Sequence, residues 1–251
     1  MKVQFVSDLH LEYEENRNYF KENPIKEFGE VLILAGDIVN EIDREKANDF
    51  FEDIEKKFDL IISAFGNHEF YLNNLDFSLP SYKKELSKNH LLLNNETICY
   101  KNCRFIISTL WSKIEEKHRY EISNRLNDYK YIKYKNEKFS TYHSDEVFEI
   151  CKNFIISELE KYFKGKTIVI THHLPSYECV NPKWRNSNLA SGFVNKLDDL
   201  ILKYEPDFWI FGHQHEYSEC KIGNTILLSN PLGYFKKENF KLFSSNKYFE
   251  V

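Results

Sequence analysis

The chain alternates between two kinds of stretch. Short, densely apolar and β-branched runs end in clusters of polar residues: KVQFVSDLH (2–10), EVLILAGDIV (30–39), DLIISAFGNHEF (59–70), RFIISTLW (104–111), TIVITHHLP (167–175) and DFWIFGHQHE (207–216). Runs of this length that lack a polar face predict strands buried on both sides. The stretches between them space apolar residues at helical intervals and predict helices over 44–58, 144–163 and 191–204. Strands and helices in this alternation predict a layered α/β domain. After residue 216, YSECKIGNTILLSN predicts a hairpin about Gly223-Asn224, so that antiparallel strands close the sheet. The chain shows no linker, repeat or low-complexity tract and reads as a single domain over 1–251.

One segment breaks the rhythm. Residues 112–143 are polar and tyrosine-rich with little apolar periodicity, and predict an excursion over one rim of the sheet. Such an excursion is either a decorated surface loop or a lid over the ligand end of the strands. Tyr120, Tyr129, Tyr131 and Tyr134 give it flat surfaces, either to stack on a base or to pack onto the domain.

Composition narrows the function classes. With 42% hydrophobic and 29% charged residues the chain is that of a folded domain, and no segment approaches the roughly 20 apolar residues that span a bilayer. The start, MKVQFVSDLH, has no basic region, long apolar stretch or small-residue cleavage site, so a cytoplasmic location without a membrane partner is expected. The net charge of −5 argues against an extended basic groove for nucleic acid, while leaving room for a small phosphorylated substrate held by one local site. The five cysteines form no Cys-x-x-Cys pair and are expected to behave as small buried apolar residues.

The polar residues that close the apolar runs are of one chemical kind. They are Asp8 and His10, Asp37, Asn67 and His68, His172 and His173, and His213 and His215; six of the nine histidines are among them. Open α/β sheets place their ligand sites at the carboxyl ends of strands. Oxygen and imidazole donors without cysteine suit Mn²⁺, Fe²⁺, Zn²⁺ or Co²⁺. The donors are too many for one ion, and two ions need a carboxylate able to bridge them, the part that falls to Asp37. The pair in GHQHE reads in two ways: residues two apart on a continuing strand face one target, whereas a glycine-led turn presents the two rings from different directions.

The ordered set Asp-x-His, Gly-Asp, Gly-Asn-His-Glu, His and Gly-His-x-His, running from residue 8 to 215, resembles the calcineurin-like metallophosphoesterase superfamily. SDLHLE, THHLPS, KLDDLI and SNPLGY look like a bacterial subgroup of small phosphohydrolases, although Leu232 stands where members of that subgroup carry an arginine. The resemblance implies a layered β-sandwich of mixed sheets flanked by helices. It implies one metal held by Asp8, His10, Asp37 and His215, and a second by Asp37, Asn67, His172 and His213. It further implies hydrolysis of a phosphomonoester or phosphodiester by a metal-bridging hydroxide, with His68 protonating the leaving oxygen or steadying the transition state. A nuclease and a catalytically inactive interaction scaffold are the alternatives. The scaffold is opposed by the complete ligand set, the nuclease by the acidic charge. Around the set, Glu69 is read as orienting His68 or holding local structure, His173 as touching substrate or packing, and Arg185 as a phosphate fork or a solvated charge. His90, His118 and His143 are assigned no function.

Overall fold

Alternate residues of each apolar strand face two different layers. On the strand Val31–Ala35, Val31, Ile33 and Ala35 join a core between two sheets, while Leu32 and Leu34 face a layer of helices. On Lys166–Ile170 the same split sends Ile168 and Ile170 inward and Val169 to the opposite helices. Both faces are apolar because both are covered, which is why the runs lack a polar stripe.

The structure is a computed structural model that describes residues 1–238 and 242–251. In chain order its elements are β1 (Lys2–Val6), α1 (Glu14–Glu22), β2 (Val31–Ala35), α2 (Asn48–Glu55), β3 (Leu60–Ala64), β4 (Tyr82–Ser87), β5 (His90–Asn94), β6 (Glu96–Tyr100) and β7 (Cys103–Ile107). Then follow α3 (Arg119–Arg125), α4 (Asp128–Tyr131), β8 (Lys133–Tyr134), β9 (Glu137–Lys138), α5 (Thr141–Leu159), β10 (Lys166–Ile170), α6 (Asp198–Tyr204), β11 (Phe208–Phe211), β12 (Ser218–Ile222), β13 (Thr225–Ser229) and β14 (Tyr248–Glu250). One six-stranded sheet runs β14-β1-β2-β3-β5-β4 and the other β12-β13-β11-β10-β7-β6. In each sheet the four central strands are parallel and an antiparallel strand closes each edge. Helices α1 and α2 cover the first sheet through Phe20, Phe51 and Ile54. The second sheet is covered by α5 and α6 through Val147, Ile155 and Ile201. This is the layered β-sandwich of mixed sheets flanked by helices. Among the described residues, no helix is long and apolar enough to cross a membrane.

Local differences from the sequence pattern have identifiable causes. Helix α5 begins at Thr141 because the Ser140 side chain accepts a hydrogen bond from the His143 amide. The helix expected from 191 begins only at Asp198. Ala190–Gly192 forms a single 3-10 turn, Val194 pairs with Leu174, and Asn195 Nδ2 donates to the Trp111 carbonyl at 2.7 Å, so tertiary contacts keep 194–197 out of the helix. The hairpin about Gly223-Asn224 forms with a two-residue loop between Ile222 and Thr225. Of the cysteines, Cys103, Cys151 and Cys179 are buried but Cys99 is exposed, which corrects the expectation for that residue.

Segment 112–143 differs most. It folds into α3, α4 and the β8–β9 hairpin, and Ile114, Ile122, Tyr129, Ile132, Tyr134 and Phe139 are buried in one cluster with Trp111. Tyr129 and Tyr134 are therefore core residues, leaving Tyr120 and Tyr131 exposed. The segment carries its own apolar layer, which four short elements hide from a periodicity reading.

Candidate metal centre

The parallel strands end at one rim, and the loops that leave them turn sharply. Five of the seven ligand-type residues have left-handed backbone: Asp8 (φ 52°), His10 (47°), Asp37 (54°), His213 (75°) and His215 (51°). Each such residue costs about 1 kcal/mol or more and persists only where its surroundings fix it. The fixing contacts are visible. Asp8 and His10 donate their amides to Gly36 and Asp37 carbonyls at 3.0 Å each, and the His213 amide donates to both Asp8 carboxylate oxygens at 2.9 and 3.1 Å. A Cβ on Gly212 would lie 2.7 Å from Asp8 Oδ2, so only glycine lets the backbone approach that carboxylate. Because β11 ends at Phe211, His213 and His215 ride a turn and face different partners.

Those partners form two groups. In the first, His10 Nε2 lies 2.9 Å from His215 Nε2, and His215 Nε2 is 3.5 Å from Asp8 Oδ1. In the second, His172 Nε2 lies 3.1 Å from both His213 Nδ1 and Asn67 Oδ1. One oxygen belongs to both: Asp37 Oδ2 is 3.9 Å from His10 Nε2 and 3.3 Å from His172 Nε2. Asp8, His10, Asp37 and His215 can offer ligand atoms all within 4.8 Å of one another, as can Asp37, His172 and His213. Asp8, His10, Asp37 and His172 are buried, whereas His213 and His215 reach the surface.

Partners on the far side of each ring set its protons. His10 Nδ1 meets Glu12 Oε1 at 3.1 Å, His215 Nδ1 meets Glu238 Oε2 at 2.7 Å, and His172 Nδ1 meets the Ala35 carbonyl at 2.9 Å. These oxygens can only accept, so each Nδ1 carries a hydrogen, and wherever a ring is neutral its Nε2 turns a lone pair into the centre. In the neutral rings of His10 and His215, two lone pairs then oppose each other at 2.9 Å. A cation between them turns that repulsion into coordination. Imidazole nitrogen and carboxylate oxygen are the donors of Mn²⁺, Fe²⁺, Zn²⁺ and Co²⁺, so the residues fit a divalent ion.

Electrostatics follow from the same contacts. Burial would raise the Asp37 pKa, but His172, His68 and His10 hold it well below the carboxylate range. Burial likewise opposes ionisation of Glu12, yet hydrogen bonds from His10 and His68 hold it at about 2. Burial lowers the pKa of His68, but the Asp37 charge and the Glu12 hydrogen bond outweigh it and raise the value to about 9. Glu69 turns away from His68: it accepts amides of Asp37 (3.1 Å), Ile38 (2.8 Å) and Gly66 (2.6 Å), tying together the loops after β2 and β3. Burial and the Asp37 charge raise its pKa to about 8.

Other residues singled out in the sequence lie elsewhere. His173 is buried, its ring packed 5.2 Å from Trp111 and 4.3 Å from His213, so it packs rather than facing the cleft. Arg185 donates to the Glu178 carbonyl at 3.3 Å and lines neither cleft beside the centre. Leu232 is buried against Val6 and Leu9 in the first helix layer. Residues not singled out individually in the sequence complete the surroundings. Asp128, from segment 112–143, accepts from Asn67 Nδ2 and the Tyr71 hydroxyl at 2.8 Å each, which turns Asn67 Oδ1 toward His172. The Tyr234 hydroxyl lies 3.4 Å from His68 Nε2, and its ring lies 4.6 Å from that of His10. A cleft of about 230 Å³ opens over the centre between Asp37, Asn67, His68, Arg125 and Tyr234.

Comparison with known proteins identifies the family. The profile of the calcineurin-like phosphoesterase family matches residues 1–217. An uncharacterized protein of Acanthamoeba polyphaga mimivirus is 32% identical over 264 residues, spanning 94% of this chain and 92% of the viral one. The solved phosphopantetheinyl hydrolase PptH of Mycobacterium tuberculosis has a TM-score of 0.66 at 14% identity, covering 93% of this chain and 89% of its own. Purple acid phosphatase PPD1 from yellow lupin has a TM-score of 0.50 at 14% identity, over 91% of this chain and 43% of that enzyme. At these identities the two structures share the fold alone, but the matched profile and the viral relative establish kinship. This chain belongs to the calcineurin-like phosphoesterase family.

Proposed function

We propose that the protein is a two-metal phosphoesterase that hydrolyses a small phosphomonoester or phosphodiester. The observation that carries this reading is Asp37 Oδ2, a single carboxylate oxygen facing His10 Nε2 at 3.9 Å and His172 Nε2 at 3.3 Å, each within its own group of donors. Asp8, His10 and His215 would hold one divalent ion, Asn67, His172 and His213 the other, with Asp37 shared. When bound, the pair would polarise phosphoryl oxygens, acidify water and offset part of the Asp37 charge that acts on His68.

The chain's own groups supply the rest. His68 holds its Nδ1 hydrogen against Glu12 Oε1 at 2.8 Å, a contact that favours the protonated ring. Its Nε2 hydrogen faces the cleft beside Tyr234, in position to be given to the departing ester oxygen. Arg125 stands on the cleft rim with its guanidinium 2.8 Å from Glu121, and supplies a cation to a phosphate oxygen.

The direct test reconstitutes metal-free protein with Mn²⁺, Fe²⁺, Zn²⁺ or Co²⁺ and assays p-nitrophenyl phosphate and bis-p-nitrophenyl phosphate. Activity that follows metal occupancy to about two equivalents supports the reading. Full activity at a single equivalent, or none with any metal, overturns it.

A further inference from the structure

A second chamber, of about 420 Å³, opens beside the small cleft, and the two share Phe193, His213 and His215. A phosphoryl group seated over the centre would have this chamber within reach of its organic part. Its walls differ from those of the cleft. Trp184, Leu189 and Phe193 provide an apolar lining, and Trp184 is 45% exposed while Trp111 and Trp209 are at most 2% exposed. A tryptophan half open on a concave wall offers a large rigid face at little entropic cost.

The loop that carries Trp184 is pinned to the ligand-bearing turn. The Asn181 amide donates to Gln214 Oε1 at 3.3 Å, Gln214 Nε2 donates to the Cys179 carbonyl at 3.0 Å, and Asn181 Nδ2 bonds Glu216. Gln214 lies between His213 and His215, so the aromatic wall and the centre are held by one hydrogen-bonded unit.

Charge restricts what this wall can accept. Among the described residues, one lysine, Lys183, and two glutamates, Glu216 and Glu238, line the chamber, which gives it one net negative charge when its histidines are neutral. That balance disfavours a second phosphate. A cationic group finds no free carboxylate either, because Glu216 already pairs with Lys183, Glu238 Oε2 meets His215 Nδ1 at 2.7 Å and the Tyr234 amide at 2.9 Å, and Lys183 lies 5.4 Å from the Trp184 ring centroid.

Resting on the phosphoesterase reading, we infer that the chamber selects esters whose organic part is flat, aromatic or heterocyclic, and uncharged, with Trp184 as its stacking face. The contrast is with phosphate esters of small polar alcohols and with those bearing ammonium groups.

The test compares 1-naphthyl phosphate, glycerol 1-phosphate and phosphocholine on the Mn²⁺-loaded protein. Trp184→Ala should lower kcat/KM for the naphthyl ester by about tenfold more than for glycerol phosphate, chiefly through KM, and Trp184→Phe should recover most of the loss. Independently of turnover, 1-naphthylphosphonate should quench the tryptophan fluorescence of the wild type and not that of Trp184→Phe. Equal losses on the naphthyl and glycerol esters, a larger loss on phosphocholine, or quenching that survives in Trp184→Phe would each overturn the inference. If no ester is hydrolysed with any metal while the quenching behaves as expected, the chamber stands and the assigned reaction falls.

Discussion

One buried histidine and a cluster of four sit at opposite rims of the sandwich, and they are built differently. His90 opens β5, level with Ile61 at the start of β3, while His10, His172, His213 and His215 lie where the parallel strands end. His90 is fully buried, with Nδ1 2.9 Å from Glu55 Oε1 and Nε2 2.7 Å from Ser63 Oγ. A carboxylate that accepts and a hydroxyl that can donate satisfy one neutral ring completely. At the other rim the outer nitrogens of His10, His172 and His215 are satisfied in the same way, but the inner ones face each other or Asp37. Burial does not separate a structural histidine from a functional one here. The chemical type of the second partner does.

The comparison breaks first at Asp37. Removing its shared oxygen by Asp37→Asn should lower occupancy of both metals and cut kcat/KM by about 10⁴-fold or more, since bound metal supplies several kcal/mol of charge stabilisation. Metal analysis and kinetics on the same preparation decide it; a variant that keeps both ions and its activity would show that Asp37 does not bridge. Next, His68→Ala should slow turnover of a poor-leaving-group ester by at least about 10²-fold while metal content stays near wild type. A loss of metal equal to the loss of rate would make His68 a ligand rather than an acid.

What the sequence made legible follows the same division. Ligand-type residues were readable because each ends an apolar run, so strand position and chemistry coincide at Asp8, Asp37, Asn67, His172 and His213. The two covered faces of β2 and β10 were readable for a similar reason: both-sided burial leaves an unbroken apolar run. Two outer partners were not, because each comes from a distant stretch with no pattern of its own. Asp128 reaches Asn67 across 61 residues and Glu238 reaches His215 across 23. Segment 112–143 misled because its helices are seven and four residues long, too short for a helical period to register. Replacing 114–140 by a flexible connection would remove Ile114, Ile122, Tyr129, Ile132, Tyr134 and Phe139 from the core as well as Asp128 from the site, so it is not a clean test of a lid.

Asp128 sharpens the comparison more gently. Asp128→Ala leaves the Asn67 amide and the Tyr71 hydroxyl without their shared acceptor, and outer partners of this kind are worth about 10–100-fold in metal affinity. The loss should fall on the ion held by Asn67, His172 and His213. Titrating metal-free protein with Mn²⁺ should therefore weaken one binding phase and spare the other; equal weakening of both would mean that Asp128 supports the fold at large.

The smallest effect on activity, and the clearest on stability, is expected at His90. Burial and the charge of Arg44 lower its pKa to about 4, against the pull of Glu55 in the other direction. The unfolded chain thus binds a proton near pH 6.5 that the folded chain refuses until about pH 4. Between these values the unfolded state holds more protons, so stability falls as pH drops through the window and is independent of this group above it. The loss amounts to about 3 kcal/mol across the window, by the conversion of about 1.4 kcal/mol per pH unit. His90→Gln should be about 1–2 kcal/mol less stable at pH 8, where two good hydrogen bonds are disturbed. Its deficit should shrink or reverse toward pH 4, because glutamine carries no proton to exclude, while metal content and kcat/KM at pH 8 stay within about twofold. Chemical denaturation at pH 8, 6 and 4.5 measures the gap. A deficit that widens toward acid would mean that His90 is charged and ion-paired with Glu55 in the folded state, and the distinction between the two rims would then rest on charge rather than on the type of partner.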